Sequence, residues 1–533
     1  MQILTADEMR TADRVTTERF GVASIDLMRN AGEAVARFVA REFPQCRSIA
    51  VLCGKGNNGG DGFVAARVLA GMGKEVGVLL LGSSGDLKGD AKTAFEEMGI
   101  APVLAADEPA LGSPEVEALL ERAELFLDAV VGTGFQPPLR GIAAALRDRV
   151  NALTAKVVAV DLPSGWDADS REYSVDGAYR ADAVVTFSAP KLAHACGNLT
   201  DGVYGPIVVA PIGSPDEAVQ SSLGLTWAGA SMVVAQKPRA ADSNKGMYGH
   251  VLVIGGAKGK SGAPSMSSLA ALRAGAGLVT AAVSESILPI VAGVTPELMT
   301  IPLKEDHSGE IDAAAIDFDE LLEKKTVLAV GPGLGQSSGA ERFLFTLLDQ
   351  ARVPIVLDAD ALNLLAKHPE RIDGNAKTLV MTPHPGEMAR LAAMSTKEVQ
   401  ANREPLAREF ATKHKVTLVL KGWRTLIAHP DGTIAVNTTG NPGMAKGGSG
   451  DILTGIVAAM VGQYPERLAD AVNAAVYLHG LAADFAVREQ DEHTLLATDT
   501  VAHLWRAFRF RAQDAAGYVW LQGQPEPSQM EAR

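Results

Sequence analysis

Two segments of this 533-residue chain combine carboxylates, amides and glycines at spacings suited to gripping an anionic ligand and moving a proton on it. The first is Gly54-Lys55-Gly56-Asn57-Asn58-Gly59-Gly60-Asp61-Gly62, which follows the apolar run 48–53 and leads into a helical pattern. Glycines let the backbone approach a ligand closely, and a helix start offers unpaired N–H groups. A plain strand-to-helix turn has no use for two amides and a carboxylate, and the segment is not a strict GxGxxG fingerprint. Two later apolar runs end the same way. One closes on Asp128 and continues into Val131-Gly132-Thr133-Gly134-Phe135-Gln136-Pro137-Pro138; the other closes on Asp161 and continues into Leu162-Pro163-Ser164-Gly165. Either aspartate alone could be a helix cap. Three strand ends with such residues point to one crevice, because ligands of open parallel sheets bind beyond the carboxyl ends of the strands.

The second segment is Asn441-Pro442-Gly443-Met444-Ala445-Lys446-Gly447-Gly448-Ser449-Gly450-Asp451, ahead of an apolar helix. Three glycines around a serine make a nest of N–H groups at a helix N-terminus, where developing phosphate charge is stabilised. A carboxylate one residue on can accept the proton of an attacking hydroxyl. The competing reading makes Asp451 an ordinary acid favoured by the helix dipole. The loop is not a Walker A sequence. Further polar segments end other apolar runs: 258–263 with Lys260 and Ala263, 331–335 with Gly333, 358–363, 382–387 with His384 and Glu387, and Lys421-Gly422.

The elements that must carry these segments alternate. Strands are expected at 48–53, 75–81, 124–130, 156–161 and 182–187, with helices such as 62–71 and 141–153 between them; a second run has strands at 250–256, 326–331, 353–358, 378–382 and 416–422. Alternation of this kind means βαβ units and mostly parallel sheets. The first 30 residues read as helix, with a cap at Thr5 and an acidic first turn. The linker is expected near 211–220, and the tail from about Arg511 reads as disordered. Net charge is −14 and no Lys/Arg run stands out, which argues against nucleic acid. Three cysteines fit a reducing, cytoplasmic setting better than a disulfide scaffold. The N-terminus does not read as a signal peptide, and no apolar stretch is long enough for a membrane span. Alanine-rich helices after Gly447 permit a homo-oligomer.

The two segments resemble the two halves of the bifunctional NAD(P)H-hydrate repair enzyme family. The resemblance implies a Rossmann-like three-layer α/β domain over 1–217, an NAD(P)H-hydrate epimerase, followed by a ribokinase-like α/β domain over 225–510, an ADP-dependent NAD(P)H-hydrate dehydratase, and a tail over 511–533. By resemblance, Asn57, Asn58, Gly59, Gly60 and Asp61, together with Gly132 to Pro138, line the first substrate site. Asp161 contacts the substrate there as the acid–base group, and Asn58, Asp128 and Ser164 hold potassium. Lys191, in Ser188-Ala189-Pro190-Lys191, belongs to the family pattern without an assigned role. In the second domain, Ala263, Gly333, His384 and Asp451 contact the hydrated dinucleotide. Lys421, Gly422, Trp423, Arg424 and Thr425, with Asn441 to Gly450, hold ADP, or ATP in some lineages, with magnesium. The family often has an aromatic residue near position 260, where this chain has lysine. The alternative is a ribokinase-like vitamin or sugar kinase fused to a non-catalytic Rossmann-like binding domain.

Overall fold

The computed structural model describes residues 1–313 and 316–525. It divides into two compact units, Met1–Leu225 with the segment from Arg511 onward, and Thr226–Phe510.

In the first unit, the strands β1 (Ser48–Cys53), β2 (Glu75–Leu81), β3 (Val103–Ala105), β4 (Leu125–Ala129), β5 (Lys156–Val160), β6 (Ala183–Phe187) and β7 (Ile207–Ala210) lie in the order β7-β6-β5-β4-β1-β2-β3. All six pairings are parallel. β4 and β6 are buried along their whole length, as expected when helices cover both faces. The chain starts at β1, builds outward to β3, then crosses to β4. The resulting switch point opens a crevice between the carboxyl ends of β1 and β4 in this Rossmann-like sheet. Gly54 sits in that crevice, hydrogen-bonded to the Ala129 carbonyl at 3.0 Å. A Cβ there would run into the Val130 carbonyl oxygen, so only glycine fits.

The helical start is two helices, Ala6–Phe20 and Ser24–Glu42, separated by Gly21 at φ +74. Thr5 and Glu8 form a capping box, as the acidic first turn implied. The helix after β1 begins at Asn57 rather than Gly62. The glycine-rich segment is therefore mostly a first helical turn, and a Cβ at Gly59 would strike Gly54. The expected linker stays with the first unit: the Asn30 amide donates to the Ile212 carbonyl at 2.7 Å, and Glu8 accepts from Ser222 N at 2.7 Å.

The second unit contributes β8 (Leu225–Trp227), β9 (His250–Ile254), β10 (Leu278–Ser284), β11 (Met299–Leu303), β12 (Val327–Val330), β13 (Ile355–Leu357), β14 (Leu379–Met381), β15 (Thr417–Leu420), β16 (Leu426–Ala428) and β17 (Ile434–Val436). Their order is β11-β10-β9-β12-β13-β14-β15-β16-β17-β8. Pairings from β11 to β15 are parallel, and β15-β16-β17 is antiparallel. The switch point recurs between β9 and β12. The alanine-rich helix Leu468–Val487 is buried on nearly every face, so its apolar surface is spent inside the unit. No helix among the described residues is long and apolar enough to cross a membrane.

The expectation of a disordered tail is corrected over 511–525. β18 (Val519–Gln522) pairs antiparallel with β7 at the edge of the first sheet. Trp520 and Tyr518 are buried against Phe38. Composition near the end is polar, but these aromatics find an apolar edge to cover. Residues 526–533 lie outside the described residues.

Candidate active sites

In the first unit the carboxyl ends of β1, β4, β5 and β6 meet the N-terminal helices around a cleft of about 840 Å³. Of the residues expected there, Asn57, Asn58, Asp61, Gly132 to Gln136 and Asp161 line it. Gly59, Gly60, Pro137 and Pro138 are not among the lining residues. Gly59 and Gly60 instead allow close packing, against Gly54 and Met28 respectively.

Asp161 follows β5 at φ +69, an uncommon conformation for an aspartate that turns its carboxylate into the cleft. Oδ1 accepts from Thr186 Oγ1 and Lys191 Nζ, each at 2.8 Å. Oδ2 accepts from Thr133 N at 3.0 Å and from Thr133 Oγ1. Burial pushes the carboxyl upward, but the Lys191 ammonium and the hydrogen bonds outweigh it and hold Asp161 well below the usual carboxylate range. Lys191 thus acquires a role. It is 1% exposed, and its ammonium also donates to Thr186 at 2.8 Å. His194 lies beneath the pair. Its Nδ1 accepts from Lys191 N at 3.0 Å, so Nε2 carries the proton and donates to the Asp161 carbonyl at 2.7 Å. Burial, aided by Lys191, lowers His194 to about 4 and keeps it neutral.

Asp128 and Ser164 come together: Ser164 Oγ donates to Asp128 Oδ1 at 2.6 Å and Ser164 N to Oδ2 at 2.7 Å. Asn58 lies by Gly132 and Asp161, since a Cβ at Gly132 would stand 2.9 Å from Asn58 Oδ1 and 3.2 Å from Asp161 Oδ2. Asp13, on the first helix, also lines the cleft and carries no signal in the sequence beyond an acid in an amphipathic helix.

In the second unit the helix Ser449–Gln463 starts at Gly448, φ +97, with no side-chain cap; Ser449 N donates to the Lys446 carbonyl at 3.4 Å, and the N–H groups of Gly450 and Asp451 have no partner among the described residues, which leaves them for an anion. Asp451 is half-buried in that first turn. Its backbone carbonyl accepts from Ser267 at 2.8 Å, while its carboxylate has no hydrogen-bond partner among the described residues. Burial and the neighbouring Asp358 raise Asp451 to about 6, against the pull of Lys421. Lys421 leaves β15 and donates to Asp358 Oδ1 at 3.0 Å; Thr454 Oγ1 donates to Oδ2 at 2.8 Å. Glu387 is 3.8 Å from the Lys421 ammonium. Burial lowers the proton affinity of Lys421, but Asp358 and Glu387 more than restore it, so it stays cationic.

Ala263, Gly333 and Lys260 are neighbours: a Cβ at Gly333, φ +65, would lie 3.1 Å from Lys260 Cβ and 3.4 Å from Ala263 Cβ. Lys260 reaches Asp360 at 3.4 Å. His384 is a helix cap, its Nδ1 accepting from Gly386 N at 3.0 Å and Glu387 N at 3.3 Å. Several side chains in the expected ADP segments are engaged by the protein itself. Arg424 is buried, donates to the Thr438 carbonyl at 2.8 Å and stacks over Trp423. Lys446 donates to the His493 carbonyl at 2.6 Å, and Asn441 to Asp484 at 2.9 Å. Gly447 is exposed and Gly448 to Gly450 are partly exposed, so this backbone is open to an anion. Asp358, which ties Lys421 down, opens the polar 358–363 segment that the sequence marked; Thr454, which holds Asp358, had no signal in the sequence.

The architecture and both strand-end sites define a fused pair of α/β enzyme domains. A family model for NAD(P)H-hydrate dehydratase matches residues 251–505, and one for the YjeF-related protein N-terminus matches 24–193. The bifunctional NAD(P)H-hydrate repair enzyme Nnr of Moorella thermoacetica is 41% identical over 518 residues, covering 95% of this chain and 96% of that one. The enzyme of the same name from Escherichia coli is 36% identical, covering 94% and 93%. A solved structure of ADP/ATP-dependent NAD(P)H-hydrate dehydratase from Bacillus subtilis, co-crystallised with ATP and Mg2+, is 32% identical, with a TM-score of 0.45, over 53% of this chain and 96% of that one. This chain belongs to the family of bifunctional NAD(P)H-hydrate repair enzymes.

Proposed function

We propose that the first unit interconverts the R and S epimers of NAD(P)H hydrate, and that the second dehydrates the S form at the expense of ADP, giving NAD(P)H, AMP and phosphate. The observation that carries the second half is the setting of Asp451: half-buried, unpartnered at its carboxylate, and directly after an N–H nest. With its proton affinity raised to about 6, it is a base matched to neutral pH. Asp451 takes the proton of the C6 hydroxyl as the oxygen attacks the terminal phosphoryl group. The N–H groups of Gly447 to Gly450 hold the phosphoryl oxygens, and Lys421, fixed by Asp358 and Thr454, adds positive charge. Loss of phosphate from C6 with a proton from C5 then restores the ring double bond. Ala263, Gly333 and His384 contact the hydrated dinucleotide, and segments 421–425 and 441–450 hold the nucleotide.

Magnesium entering with ADP or ATP would neutralise phosphate charge. Among the described residues no three His, Cys, Asp or Glu side chains cluster into a resident metal site. In the first cleft, Asp128 supports a potassium site. It is 0% exposed, and no cationic side chain among the described residues pairs with it, so a cation beside Asn58, Asp128 and Ser164 would supply the missing charge. Asp161, a fixed anion, and the 57–61 and 132–138 segments hold the hydrated ring.

The test uses the full chain with chemically hydrated NADH and ADP. The expected result is recovery of NADH absorbance with one AMP and one phosphate per turnover. A stable phosphorylated product without phosphate release would instead mark a sugar or vitamin kinase.

A further inference from the structure

The first cleft holds more carboxyl groups than ligand positioning requires. Asp161 is saturated by four donated hydrogen bonds and an ion pair, which makes it a weak proton acceptor. Three other carboxyls line the same cleft with no hydrogen bond among the described residues, Asp13, Asp61 and Asp90, and of these Asp13 and Asp61 feel the charge of Asp161. Asp61 is in the first turn of the helix after β1, and Asp13 is in the helix Ala6–Phe20. Asp13 Oδ1 is sealed from solvent and has no partner among the described residues. Such a group is costly and needs an explanation. It is not a packing accident of a loose segment. The helix is capped at Thr5 and Leu4 N bonds to the Pro190 carbonyl at 3.0 Å, next to Lys191. Ala6 N bonds to Asp169 at 2.7 Å, which pins the first turn. Arg10 and Arg14 of the same helix also line the cleft, but they pair with Asp7 at 3.2 Å and Glu18 at 3.0 Å rather than with Asp13. The charges that act most on Asp13 are Lys191 and Asp161, with Asp61 coupled to both; Glu18, Lys55 and Asp90 also line the cleft.

We propose that Asp13 is the proton carrier of the epimerase cleft, a catalytic residue that contacts the C6 hydroxyl of the hydrated ring. The inference rests on the reading of this cleft as the epimerase site. C6 bears the hydroxyl and the ring nitrogen N1, so its configuration is erased when the C6–N1 bond breaks. Asp13 takes the hydroxyl proton, the oxygen's electrons form the C=O bond, and the C6–N1 pair goes to N1, which takes a proton from Asp61. Rotation of the aldehyde and closure on its other face run the transfers backward: N1 returns its proton to Asp61, and the new hydroxyl takes one from Asp13. No electron, atom or net proton is gained. Burial sets the two carboxyls up for this. It raises Asp13 to about 6, opposed by Lys191 and helped by Asp161, and it pushes Asp61 upward, with Asp161 and Asp13 adding to the push, which favours the protonated form there. Asp161 stays ionised and positions the ring.

The experiment starts the full chain on the R epimer without ADP and follows the R:S ratio by chromatography between pH 5 and 8. The wild-type rate rises with pH through about 6 as Asp13 loses its proton. Asp13→Asn is expected to lower kcat for epimerisation by about 100-fold or more, with KM little changed, and to lose that acid limb. Asp13→Glu recovers part of the rate and the limb. ADP-dependent dehydration of the S epimer is unchanged in both, and thermal unfolding of the first unit reports folding. Epimerisation by Asp13→Asn at the wild-type rate with the limb intact overturns the proposal. So does a loss that appears only in KM, or one that follows the unfolding temperature equally in the Asn and Glu variants. A wild-type chain that fails to equilibrate the epimers faster than buffer alone would sink the epimerase reading itself.

Discussion

Removing the return strand should unfold the first unit before it touches the second. Trp520 is 1% exposed; its ring lies 6.2 Å from that of Phe38, and the Arg41 guanidinium sits 5.8 Å over it. Its indole N–H donates to Asp514 at 3.0 Å, and Asp514 also pairs with Arg41 at 2.9 Å. Trp520→Ala therefore removes a buried aromatic, leaves a cavity against Phe38 and strands part of the Asp514–Arg41 pair. Substitutions of this kind cost about 3–5 kcal/mol. For a domain of about 150–250 residues each kcal/mol lowers the midpoint by about 2–4 °C. The expected fall is thus about 6–20 °C for the first unit.

The assay is calorimetric unfolding of the full chain, with two transitions assigned by which activity is lost with each. The transition tied to epimerisation should fall; the one tied to dehydration should stay. Deletion from Arg511 onward should have at least the same effect, because it also uncovers the β7 edge and the Tyr518 hydroxyl's bond to the Ala34 carbonyl at 2.7 Å. An epimerase-linked transition that does not move in either variant would refute the view that β18 is part of this unit's core. An epimerase fragment ending near residue 217 is expected to be poorly stable for the same reason.

Asp451→Asn should lower dehydration by about 100- to 10,000-fold with epimerisation intact, measured by NADH recovery and by R:S equilibration. Because Asp451 must be unprotonated to act and sits at about 6, dehydration kcat should rise with pH through that value in the wild type; a flat profile from pH 5 to 8 would exclude it as the base. Lys191→Met should destabilise the first unit by about 3–5 kcal/mol, since it leaves Asp161 buried without its cation. The double variant Lys191→Met/Asp161→Asn should recover part of that stability, and urea unfolding reads both. Because Asp161 is held below its unfolded-state pKa, the stability that pair gives is present at neutral pH and is lost as pH falls below the ordinary carboxylate range.

Much of this molecule was legible before the fold was seen. β1 and β2 fall on the residues their apolar runs mark, and the Thr5 cap forms as its acidic first turn implies. Long apolar strands in a parallel sheet are buried on both faces, so the run itself is the signal. The short antiparallel strands β16 and β17 escaped because three residues cannot show a period. β18 escaped because its partner β7 lies some 300 residues earlier in the chain, and its neighbours are polar. At the sites, glycine density marked the right strand ends but overstated the ligand contacts. Gly59 and Gly60 serve packing, and Arg424 and Lys446 are tied to carbonyl groups of the protein. Lys191 and Asp13 are unremarkable as letters; only folding brings one against Asp161 and leaves the other without a partner.

The two sites share a topology and invert its electrostatics. In each sheet the chain leaves the centre, returns to the opposite side and opens a crevice at the switch point. Gly54 in the first and Gly255 in the second stand where a Cβ would strike the neighbouring strand's end. Each crevice receives an aspartate and a lysine, buried in the first and partly buried in the second, but they are joined differently. In the first unit Lys191 bonds directly to the strand-end aspartate, Asp161, and fixes it as an anion. In the second Lys421 is bonded to Asp358 instead, and Asp451, in the first turn of a helix, has no hydrogen-bond partner at its carboxylate among the described residues. A lysine spent on Asp358 cannot silence Asp451 as Lys191 silences Asp161. In the proposed mechanism the same two residue types would thus give a positioning charge in one unit and a base in the other, and the first unit's proton chemistry would fall to a carboxyl its lysine does not bind.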